Sequence, residues 1–187
     1  LGLIHIVIFA SGSGTNAENI IRYFKGHRSI VVDKVLTNNP EAGVIERAKK
    51  LGVGVDVFSK QEFHQEAFLQ KIQHADFIIL AGFLWLVPEY LVLKFAQRIL
   101  NIHPALLPQY GGKGMYGMKV HEAVIESGEK ESGITIHEVN SEYDKGAIVA
   151  QFKCPVHSND TPEKLAQRIH ELEYEHFPET IESFILN

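Results

Sequence analysis

A chain of 187 residues, 45% hydrophobic and 22% charged, can bury a substantial core and falls within the usual size of one domain, so residues 1–187 read as a single domain. The net charge of −5 and the pI near 6.1 give no overall attraction to a polyanion, and without a dense local basic patch nucleic acid is not an expected partner. No apolar run approaches the roughly 20 residues of a membrane span, the first residues lack a signal-peptide pattern, and the single Cys154 reads as core filler in a reducing compartment, so neither a membrane partner nor export is expected and the cytoplasm is.

Apolar, β-branched-rich runs recur at residues 5–10, 30–36, 53–58, 76–83 and 98–103. Helix-compatible stretches lie between them at 17–25, 41–51, 61–73 and 88–95. Near-continuous apolar strands that alternate with helices predict an α/β fold of the Rossmann-like kind: a mostly parallel sheet flanked by helices. A further helix is expected at 118–127. The runs at 132–139 and 146–156 are then expected to pair as antiparallel neighbours at one edge. Thr161, Pro162 and Glu163 carry helix-start signals, Leu165, Ile169, Leu172 and Phe177 follow at helical spacing, and Pro178 should kink or interrupt that helix.

Directly after the first strand stands ASGSGTN, followed by AENIIRYF. Glycines permit a tight turn, and the unpaired N–H groups at a helix start favour an anion, so this is a candidate phosphate cradle. The plainer alternative is a strand-to-helix turn without a ligand. Residues 12–17 also satisfy the loose G-x-G-x-x-G/A dinucleotide pattern, but that site needs an acid near the end of the second strand. LTNN stands there, and Asp33 comes too early.

The segment LNIHPALLP raises a second candidate. Strand alternation puts Asn101 and His103 on one face, and Pro104 keeps His103 extended to the strand's last residue. Polar groups at the carboxyl end of a parallel strand lie where α/β sheets bind ligands. Both can donate hydrogen bonds to an oxygen that gains charge during carbonyl attack. Asp144, in the turn SEYDKGA, is the best candidate partner, since a carboxylate near His103 favours the imidazolium and can relay a proton. Ten histidines form no H-E-x-x-H and no cysteine pair exists, so a catalytic metal is not expected, and the absence of G-x-S-x-G disfavours a serine hydrolase.

With NIHPALLP, the later D-K-G, FASGSGTN, DFIILAGFLWLVP and ELEYEHFP, the chain resembles the phosphoribosylglycinamide formyltransferases, folate-dependent enzymes of purine biosynthesis, over nearly its whole length. The resemblance implies transfer of the formyl group of 10-formyltetrahydrofolate to glycinamide ribonucleotide, without a metal, by a monomer or homodimer. It implies a catalytic trio of Asn101, His103 and Asp144, with protonated His103 and Asn101 meeting the oxyanion. Gly14, Thr15 and Asn16 match the phosphate loop, and Glu173 a residue near the ribose. Leu84, Trp85, Leu86 and Val87 match one wall of the folate pocket, and Val139, Asn140 and Tyr143 another. Two departures stand out: Trp85 replaces a frequent arginine, and the glycine-rich loop 111–118 is longer than in familiar members, where it suits a closing segment. A formyltetrahydrofolate hydrolase and methionyl-tRNA formyltransferase share these motifs but carry further domains for which this chain has no room. A nucleotide-binding module without catalysis would leave the trio idle.

Overall fold

The computed structural model describes residues 2–187, which divide into two compact units, one ending at Asn101 and one beginning at Ile102. The division falls inside the fifth strand, β5 (Ile99–His103).

In the first unit, β1 (Ile4–Phe9) lies between β2 (Ile30–Thr37) and β4 (Phe77–Leu80), with β3 (Gly54–Val57) beyond β2 and β5 beyond β4. All four pairings are parallel. Ile6, Val7, Ile8 and Phe9 are all buried, so both faces of β1 are covered, as its unbroken apolar run requires. Helix α1 (Thr15–Phe24) buries Ala17, Ile20, Ile21 and Phe24, one stripe at helical spacing. Helix α2 (Val44–Lys50) packs against α1, β2 and β3.

The helix expected over residues 61–73 is broken. Helix α3 (Lys60–Phe63), started by a Ser59–Glu62 capping box, gives way to a 3-10 segment, Glu66–Ile72. Phe63, Phe68 and Ile72 are all buried, yet on one α-helix Phe68 would point about 140° away from Phe63. Breaking the helix lets Phe63 and Phe68 both reach Phe9, at ring-centroid distances of 6.1 Å each. A short helix α4 (Glu89–Lys94) precedes β5.

The second unit holds the end of β5, helix α5 (Met118–Glu126), β6 (Glu131–Glu138), β7 (Ile148–Pro155) and helix α6 (Pro162–Leu186). β6 and β7 pair antiparallel, with Ile134 opposite Phe152 and Thr135 opposite Gln151. α6 packs on both strands and on α5. It runs through Pro178 without interruption: a proline inside a helix costs about 3 kcal/mol, but Phe177, Pro178 and Ile181 are all buried, and that packing holds the helix together. The strand order β3-β2-β1-β4-β5-β6-β7, parallel throughout the first unit and antiparallel at β6–β7, is the expected α/β class.

Candidate functional site

The glycine loop of the first unit is pinned at the carboxyl ends of the strands. Ser11 N–H donates to the Gly82 carbonyl (3.0 Å), Leu84 N–H to Ser11 Oγ (3.1 Å) and Asn39 Nδ2 to the Ser11 carbonyl (3.4 Å). Gly14 turns the chain into α1 at φ 77°, and a Cβ there would lie 2.4 Å from Val44 Cβ, so only glycine fits. Thr15 and Asn16 open the helix, both half-buried. Among the described residues no protein acceptor takes the N–H groups of Ser13 or Gly14. Free N–H groups at the positive end of a helix suit an anion. Asp33, which the dinucleotide pattern would have needed later, sits mid-strand against His5 Nδ1 (2.7 Å).

Of the residues matched to folate in this unit, Leu84 and Leu86 are exposed, whereas Val87 is buried. The Trp85 ring leans on Phe58 and Phe63, with centroids 6.0 Å from each, so tryptophan here extends the aromatic core where an arginine would not. Asn101 is half-buried on β5, opposite Leu80 of β4.

In the second unit His103 and Asp144 meet. His103 Nδ1 lies 3.6 Å from Asp144 Oδ2, and His137 Nε2 lies 3.5 Å from the other carboxylate oxygen. Each ring uses its second nitrogen on a carbonyl, His103 Nε2 on Tyr110 (2.7 Å) and His137 Nδ1 on Glu138 (2.7 Å). A carbonyl only accepts, so those nitrogens carry the hydrogens. When a ring takes up a second proton its nitrogen facing Asp144 carries an N–H as well, so a proton entering the cluster has three stations around one carboxylate.

Burial works to raise the Asp144 carboxyl, but the His137 ring, the His103 ring and the Gly112 N–H, which donates to it at 2.9 Å, outweigh burial and hold it below the ordinary carboxylate value. For His103, burial pushes the ring below its ordinary value, against the pull of Asp144 and of the Tyr110 carbonyl. Desolvation therefore opposes the resting imidazolium expected from sequence.

Local structure explains how these groups are presented. Asp144 (φ 55°) and Tyr110 (φ 54°) both adopt left-handed backbone, a strain that collects where function needs it. The Thr135 hydroxyl donates to the Ala105 carbonyl (2.7 Å) and accepts from Leu107 N–H (3.0 Å) and Gln151 Nε2 (2.9 Å), tying the segment after His103 to β6 and β7. Tyr110 is also anchored through its hydroxyl, which donates to Glu129 (2.9 Å).

Val139, Asn140 and Tyr143 are half-buried in the turn that carries Asp144, where Asn140 Oδ1 accepts from Glu142 N–H (2.9 Å). Glu173 is buried on α6 and pairs with His170 Nδ1 at 2.9 Å. His121 of α5 is buried, its pKa pushed down to about 4 chiefly by burial. Sequence reasoning missed His137 and the Tyr110 carbonyl. His137 stands near the end of β6 as His103 does at the end of β5, which was the available signal; a backbone carbonyl leaves none. Among the described residues no group of three or more His, Cys, Asp or Glu could hold a metal ion, and no helix is long and apolar enough to cross a membrane.

A formyl transferase family model matches residues 4–181. The chain is 44% identical to the chloroplastic phosphoribosylglycinamide formyltransferase of Arabidopsis thaliana over 186 residues, covering 94% of this chain and 63% of that protein. It is similarly 41% identical to the chloroplastic enzyme of Vigna unguiculata, covering 95% of this chain and 60% of that one, so it spans less than two thirds of either plant relative. With phosphoribosylglycinamide formyltransferase of Escherichia coli it shares 31% identity, covering 97% of this chain and 87% of that protein. Among solved structures, glycinamide ribonucleotide transformylase 1 from Symbiobacterium toebii superposes with a TM-score of 0.86 at 33% identity, covering 96% of this chain and 86% of that one. Phosphoribosylglycinamide formyltransferase from Bacillus halodurans gives 0.85 at 34% identity, covering 97% and 95%. The chain thus belongs to the formyl transferase family.

Proposed function

We propose that this chain, as one formyltransferase domain over residues 1–187, transfers the formyl group of 10-formyltetrahydrofolate to the amine of glycinamide ribonucleotide. The observation that carries the reading is the convergence of His103 and His137 on the Asp144 carboxylate, at 3.6 and 3.5 Å. A single family model spanning residues 4–181 supports the single domain. The relatives' names point to the ribonucleotide as acceptor, and the motif resemblance to the folate as donor.

The amine attacks the formyl carbon, and the carbonyl oxygen of the resulting tetrahedral adduct carries the negative charge. Asn101 and His103, two residues apart on β5, donate to that oxygen. The Tyr110 carbonyl, 2.7 Å from His103 Nε2, marks where an oxygen sits against this ring. Burial disfavours the imidazolium at rest and the developing oxyanion favours it, the proton being the one that the attacking amine releases to Asp144 and that Asp144 shares with His103 Nδ1 until the folate nitrogen takes it. Asp144, ionised and flanked by two rings, takes the proton released by the attacking amine and passes it to the departing folate nitrogen as the C–N bond breaks. The free N–H groups of the loop ending at Gly14, with Thr15 and Asn16, hold the phosphate, and Glu173 accepts from the ribose hydroxyls. Leu84, Trp85, Leu86 and Val87 of the first unit, and Val139, Asn140 and Tyr143 of the second, are assigned to folate. The buried free thiol of Cys154 suits a reducing compartment, and the cytoplasm is the one we assign.

Ultraviolet-monitored release of tetrahydrofolate, run with and without the ribonucleotide, tests this. Release that requires the ribonucleotide is expected. Equal release in its absence would make the chain a hydrolase, and none under either condition would leave a binding module.

A further inference from the structure

Helix α2 is tied to the glycine loop by two hydrogen bonds. Val44 N–H donates to the Gly12 carbonyl (3.1 Å), and Arg47 Nε donates to the Ser13 carbonyl (2.8 Å). In a trans peptide unit the C=O and the following N–H point in opposite directions. Drawing the Gly12 and Ser13 carbonyls towards α2 therefore turns the N–H groups of Ser13 and Gly14 away from it, side by side. Among the described residues neither of these N–H groups finds a protein acceptor, and the same holds for the Gly12 N–H.

The Val44 bond is main chain to main chain and any residue but proline could make it. The Arg47 bond depends on the side chain. Its guanidinium is itself fixed, because a second nitrogen pairs with Glu18 on α1, and Glu18 also accepts from Arg22 Nε (3.1 Å) and Nη2 (2.8 Å). Held by Arg22 and Arg47, the Glu18 carboxyl stays below its ordinary value and remains an anion. A planar guanidinium can donate from two edges at once, to a carbonyl and to a carboxylate; a lysine ammonium on its flexible stem cannot reproduce that fork.

We propose that Arg47 is a positioning residue for the substrate phosphate: by holding the Ser13 carbonyl it keeps the Gly14 N–H aimed at the anion, without touching the anion itself. The identity of the substrate rests on the formyl-transfer reading above; the orientation of the loop does not.

Arg47→Met and Arg47→Lys test this. Loss of one charge-assisted hydrogen bond predicts that each raises the KM for glycinamide ribonucleotide about 10-fold, while kcat and the KM for the folate stay within about twofold. With a substrate analogue lacking the phosphate, kcat/KM should match the unsubstituted protein. Recovery of the original KM by Arg47→Lys would mean a direct charge contact and overturn the proposal. So would an equal loss with the phosphate-free analogue, which would indicate general damage. Independently of activity, titration of inorganic phosphate followed at the Gly14 amide by NMR should saturate in the unsubstituted protein and need about 10-fold more phosphate in both variants. Unchanged titration in the variants sinks the role of Arg47, whereas no response in the unsubstituted protein sinks the phosphate loop as well.

Discussion

The proposed mechanism turns on Asp144, and the backbone of that residue dictates how to test it. At φ 55° asparagine is tolerated better than most residues, so Asp144→Asn removes the charge and leaves the turn. Asp144→Asn and His103→Ala are each expected to fold normally and to lose about 100- to 1,000-fold in turnover, the usual effect of removing an oxyanion donor for His103 and a proton-transfer group for Asp144. Near-normal kcat for both at saturating substrates would remove the cluster from the mechanism. His137 gives a sharper measurement. In the proposed mechanism Asp144 works ionised, and its carboxyl is held below the ordinary value by His137, His103 and Gly112 against the opposing effect of burial. Activity should therefore persist above that lowered pKa and fall as pH drops through it. In His137→Ala the carboxyl rises, and the acid limb of the kcat/KM profile should move to higher pH. An acid limb that stays put would show that His137 does not tune Asp144. Short motifs in the sequence offered Asn101, His103 and Asp144 as candidates, and the structure brings His103 and Asp144 together; for His137 the one signal was its place near the end of β6, which names no partner.

The turn between β6 and β7 presents Asp144, and it closes on glycine. Glu138 N–H donates to the Ala147 carbonyl (2.8 Å), and a Cβ on Gly146 would fall 1.6 Å from the Glu138 carbonyl oxygen. Gly146→Ala should therefore open the hairpin end, costing about 1–3 kcal/mol in denaturant unfolding, and should lower activity because Asp144 moves with the turn. At the start of α6, Asp160 accepts from Arg168 at 2.7 and 3.1 Å and from His157 N–H at 2.8 Å, which draws its carboxyl down to about 2. A depressed carboxyl stabilises the fold above its ordinary pKa and loses that contribution as pH falls towards the lowered one. The melting temperatures of the unsubstituted protein and Asp160→Asn should accordingly differ near neutrality and converge as pH approaches about 2. The strand and helix succession was readable from local periodicity. The break after Phe63 and the continuity of α6 through Pro178 were not, because both follow from which side chains the surrounding core accepts.

Across the chain as a whole, burial divides the strands by kind. β1 and β4 carry runs of buried residues, whereas β7 mixes exposed and half-buried positions up to Cys154. Amide hydrogen exchange should be slowest at residues 6–9 and 78–80 and markedly faster along β7; uniform protection would contradict this burial. The amino-acid sequence by itself determined the α/β class, the antiparallel final strand pair and the side-chain types offered for chemistry, since these depend on spacing within a few residues. Only the tertiary structure decided that His137 joins Asp144, that burial rather than the carboxylate governs the resting His103, and that Arg47 holds the glycine loop. Those outcomes depend on distances between residues far apart in the chain and on how much water reaches them, and both quantities come into being only when the chain has folded.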